Sequence, residues 1–69
     1  MKYQFTFYNM DNKYKPITVT VIPRPHEKIS SLKTRAVQKA CAERHWGYTD
    51  LMYKYNYTKF RYRVLREDK

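Results

Sequence analysis

A chain of 69 residues makes one domain, and at this size only about 60% of the unfolded chain's surface can be buried, so the core must be small. Fifteen Lys and Arg against six Asp and Glu give a formal net charge of +9, which favours acidic partners: nucleic acid, an anionic membrane or an acidic protein surface. One cysteine cannot form an internal disulfide, and the longest apolar run is too short to span a membrane, so a reducing, cytoplasmic setting is expected.

The first segment, "KYQFTFY", alternates strictly, with Tyr3, Phe5 and Phe7 on one side and Lys2, Gln4, Thr6 and Tyr8 on the other. Period two predicts a half-buried strand over 2–8. The connection "NMDNKYKP" collects turn formers, and "ITVTVI" is β-branched at every position, which predicts a second strand over 17–22 and a hairpin. Ile17, Val19 and Val21 join Phe5 and Phe7 on the core face, while Thr18 and Thr20 face out.

Pro23 and Pro25 stop the strand, since proline cannot donate to a ladder. From Ile29 the apolar positions fall at 29, 32, 36, 37, 40 and 41, one stripe of an α-helix predicted over 31–46, with Ser30 as N-cap and Gly47 as the left-handed residue that ends it. Such a helix would be roughly 24 Å long and would cover one face of the hairpin. Thr49 and Asp50 then open a short second helix over 50–54, and Asn56 takes the left-handed conformation needed to leave it. Alternation resumes over 57–65, with Phe60, Tyr62 and Val64 inward and Tyr57, Lys59, Arg61 and Arg63 outward. The tail "REDK" at 66–69 is polar and expected to fray.

The order strand, strand, helix, short helix, strand gives an α+β fold. Its three-stranded antiparallel sheet takes the order 2-1-3 if a right-handed crossover places the third strand beside the first. One helix covers one face and leaves the other bare. In plan this is similar to the small arm-binding domains of some tyrosine recombinases, which read DNA with a three-stranded sheet, although here the helix precedes the third strand. The resemblance implies a sheet-borne contact and nothing about individual residues.

Enzyme chemistry is not expected. Cys41 and His45 lie one helical turn apart, but Cys41 belongs to the apolar stripe and reads as a core residue beside a surface histidine, so no metal or cofactor is expected. A single glycine excludes a glycine-rich phosphate loop. "ERHWGYTDLMYKY" has the outline of a helix-turn-helix, yet Glu43 stands where a small residue is usual and the second helix is short and begins with an acid.

The stronger signal is the bare sheet face, on which no outward residue is acidic. Lys59, Arg61, Arg63 and Lys2 are candidates for phosphate contacts, and Tyr57 and Tyr8 for stacking or sugar contacts. The expected function is a nucleic-acid-binding module for DNA or RNA with low sequence specificity. The alternative is a protein-interaction module, for instance a phage or mobile-element factor, docking on an acidic protein surface. A membrane surface is not expected, and charge repulsion favours a monomer over a homodimer.

Overall fold

The computed structural model describes residues 1–66. Of the tail expected to fray, everything beyond Arg66 lies outside the described residues. Strands β1 (Lys2–Tyr8) and β2 (Ile17–Val21) precede the helix α1 (Ile29–Arg44). A single helical turn, α2 (Asp50–Lys54), and strand β3 (Lys59–Leu65) follow. The sheet order is β2-β1-β3, with β1 antiparallel to both neighbours, as the order of elements predicts.

Hydrophobic parity sets the register. Phe5 lies opposite Val19 on one side and Tyr62 on the other, and Phe7 opposite Ile17 and Phe60. All six side chains therefore share the helix-facing side, because directly paired residues point the same way. Leu32, Ala36, Val37, Ala40 and Cys41 of α1 close the core over β1 and β2. Two alanines in that stripe let the helix axis come close to the sheet. A helix about 10 Å across covers about two strands spaced 4.8 Å apart, and α1 packs over β2 rather than β3. Phe60, Tyr62 and Val64, expected in the core, are consequently half-buried, 46% exposed and 41% exposed.

Several boundaries differ from the periodicity reading for identifiable reasons. The helix begins two residues early, at Ile29, and its N-cap is Lys28, which makes no side-chain cap bond; Ser30 is not the cap. The first turn is instead anchored by Glu27. Its carboxylate accepts Arg24 N at 2.9 Å, Ser31 Oγ at 2.7 Å, Arg35 Nε at 2.9 Å and Arg35 Nη2 at 2.6 Å. At the other end the left-handed residue is His45 (φ 59°), not Gly47. His45 N donates to Ala42 O and Trp46 N to Cys41 O, the paired closing bonds of a Schellman motif. Ending there frees Trp46 to stack on Tyr55, with ring centroids 4.2 Å apart.

Gly47 opens the next turn: its carbonyl accepts Asp50 N and Leu51 N, and its own N–H is taken by Asp50 Oδ2 at 2.9 Å. Thr49 lies within the turn with helical dihedrals and makes no side-chain cap bond. α2 closes with a wide i→i−5 bond from Tyr55 N to Asp50 O, and it buries Leu51 and Met52. Asn56 leaves it at φ 56°, as expected. A buried Asn9 ties this corner together. Its amide donates to Tyr55 O, while its Oδ1 accepts Asp11 N at 3.0 Å and Lys13 N at 2.8 Å.

Candidate nucleic-acid interface

The outer face of the sheet is built from two adjacent columns. On β1 stand Lys2, Gln4, Thr6 and Tyr8, and opposite them on β3 stand Leu65, Arg63, Arg61 and Lys59. Side chains two apart on a strand are about 7 Å apart, so Lys59, Arg61 and Arg63 form a row whose spacing is of the order of the step between successive phosphates along a nucleic-acid strand. All three are exposed, whereas the β1 column is half-buried beneath them. Thr18 and Thr20 of β2 complete the face, and Thr6 and Thr18 hydroxyls lie 3.3 Å apart.

One arginine of the row is held in place. Arg63 Nε donates to Gln4 Oε1 at 2.9 Å across the strand pair, which fixes the guanidinium plane and leaves its terminal nitrogens for a partner. Gln4 thereby gains an orienting role that the sequence did not disclose, because it depends on the β1–β3 register. Tyr8 lies opposite Lys59 and borders two adjoining shallow depressions, one shared with Gln4, Thr6, Arg61 and Arg63, the other with Asn9, Met10, Asn12, Lys59 and Arg61. An open trough of this kind suits an extended polymer better than a small molecule, which needs enclosure.

Of the residues expected on this face, Lys2, Tyr8, Lys59, Arg61 and Arg63 are there, and Tyr57 is not. Tyr57 precedes β3, so strand parity does not govern it. It is 3% exposed, its N–H donates to Leu51 O and its hydroxyl to Lys15 O at 2.9 Å. Burial pushes its phenol pKa up. Tyr57 is a core residue that clamps the β1–β2 connection, beside Tyr14 and Trp46, the latter stacked on Tyr55.

The described acids lie elsewhere. Glu27 is engaged by Arg35, Asp50 by Gly47 N and Asp11 by the Asn56 amide, while Glu43 is on α1 next to Arg44. Among the described residues no acidic side chain belongs to the outer face. Cys41 is buried with its thiol 3.7 Å from Gly47 O, and burial raises its pKa away from the thiolate form, while His45 is turned out as the helix cap. Among the described residues no group of three His, Cys, Asp or Glu could hold a metal ion. No described helix is long and apolar enough to cross a membrane. The helix-turn-helix outline does not carry over, because α2 is five residues long and spends Leu51 and Met52 on the core. No family model, no curated protein and no solved structure matches the chain at a significant level.

Proposed function

We propose that this protein is a small nucleic-acid-binding module that engages DNA or RNA through the outer face of its sheet, acting as a monomer and with low sequence specificity. The observation that supports it is the exposed row Lys59, Arg61 and Arg63, one member of it oriented by Gln4, on a face without a described acid. Like charges at alternate positions of one strand repel each other, and a polyanion removes that cost while releasing its own counterions. Tyr8, level with Lys59, supplies a ring and a hydroxyl for a base or sugar. Lys2 extends the basic surface at the far end of β1.

Fluorescence titration of a labelled mixed-sequence oligonucleotide, single- and double-stranded, across a salt series tests this reading. The expected result is binding that weakens linearly in log salt. The double variant Arg61→Gln, Arg63→Gln should lower the slope by about 1.4 for a single strand or about 1.8 for a duplex. No binding at low salt, or an unchanged slope in the double variant, overturns it.

A further inference from the structure

The two edges of the sheet are treated differently by the rest of the chain. Along β2, Lys39 Nζ donates to Thr20 O at 2.6 Å and, just beyond the strand, Arg35 Nη2 donates to Ile22 O at 2.6 Å, so side chains of α1 cap that edge. Along β3, every second residue turns its N–H and C=O away from β1, and among the described residues nothing bonds to those groups. On the helix side of the same strand α1 leaves Tyr62 and Val64 in water, although the Tyr62 ring lies 5.5 Å from Phe5 and 6.0 Å from Tyr3. A seven-residue edge is thus open in its backbone and apolar on one side, and it carries Lys59, Arg61 and Arg63 on the other.

We propose that β3 accepts an extended segment of an acidic protein as a fourth strand. Its helix-side residues would be apolar and cover Tyr62 and Val64, and its outer-face residues would be Asp or Glu set against Arg61 and Arg63. Charge decides the occupant. In any antiparallel pairing of two copies that keeps the apolar side inward, the basic row of one β3 meets the basic row of the other, which cross-strand repulsion opposes. Lys33, whose ammonium lies 4.6 Å above the Phe60 ring, adds positive charge on the helix side as well. A nucleic acid on the outer face would leave both the edge amides and the Tyr62–Val64 side unused. This inference shares Arg61 and Arg63 with the nucleic-acid reading, while the edge amides and the Tyr62–Val64 side belong to it alone.

The test uses the full chain, ¹⁵N-labelled, with a blocked heptapeptide in which Val alternates with Glu, at millimolar concentration. The expected result is slowed exchange of alternate β3 amides together with shifts at Tyr62 and Val64. The same peptide N-methylated at alternate residues keeps its charge but cannot complete the ladder, and it should fail to bind. A Val–Lys peptide should fail likewise. Arg61→Gln with Arg63→Gln should weaken the Val–Glu peptide about tenfold, about 1.4 kcal/mol shared between two opposite-charge pairs. Val64→Thr should weaken the peptide but leave oligonucleotide binding unchanged, which separates this site from the outer face. Unchanged β3 amide exchange overturns the proposal, as does equal binding of the N-methylated peptide, which reports charge attraction alone. Concentration-dependent protection of β3 without peptide would assign the edge to a second copy and also overturn it.

Discussion

His45 and Gly47 exchange the roles their chemistry suggests. A non-glycine side chain in the left-handed region costs roughly 1 kcal/mol, and His45 bears that at φ 59° while the chain's sole glycine, two residues on, has no positive φ. The helix stops where it does because Trp46 must leave the helical path to stack on Tyr55, and that fixes position 45 as the reversal. His45→Gly should therefore stabilise the fold by about 1 kcal/mol, a rise of about 5 °C in the midpoint of a thermal melt followed by circular dichroism. Gly47→Ala should not lower the midpoint, since an added Cβ would meet only Asp50 Oδ2, at 3.9 Å. A drop of several degrees in that variant would restore Gly47 as the reversal residue. The sequence shows that a left-handed residue is needed near 45–47. It does not show which one, because the choice is made by an aromatic contact ten residues away in the chain.

At the level of elements, the strands were legible wherever alternation was two-sided. The limits of β1 follow its pattern, but the expected start at Tyr57 mistakes a buried connection for a strand, since period-two counting cannot see that Tyr57, two residues before β3, bonds to Leu51 and Lys15. The junction of β2 with α1 was illegible for a similar reason. It rests on Glu27, whose Arg35 partner lies eight residues on, and whose carboxyl the Arg35 hydrogen bonds, then Arg24 N and Ser31, hold down at about 2. A carboxyl lowered from 4.5 to about 2 contributes stability that is fully present above 4.5 and is lost as pH falls from there through about 2. Glu27→Gln should therefore be less stable than the parent at neutral pH, with the gap closing as the pH falls towards 2. Thermal melts over that range check it; a gap that stays constant would mean that the side chain's worth lies in packing or neutral hydrogen bonds, not its charge.

For the whole molecule, the charge that suits the outer face works against the compact state. With a net charge of +9 the folded chain repels itself, and the row Lys59, Arg61 and Arg63 concentrates that repulsion on one edge strand. Arg61 is the sharpest test, since it is exposed, lies across from Thr6 and has a like charge two residues away on each side. Arg63, by contrast, gives something back through Gln4. Arg61→Gln should raise stability by a few tenths of a kcal/mol at low ionic strength, through removal of like-charge neighbours. The gain should vanish near 1 M salt, where the screening length falls to about 3 Å. The same substitution should weaken oligonucleotide binding at every salt concentration at which binding is measurable. Opposite signs for stability and binding at one position are what a functional surface predicts, because residues kept for a partner are not optimised for the free fold. Melts of parent and variant at low and high salt, set beside the titrations, decide it. If Arg61→Gln lowers stability at low salt, the arginine serves the fold through contacts of its own, and the basic row is no longer evidence of a partner.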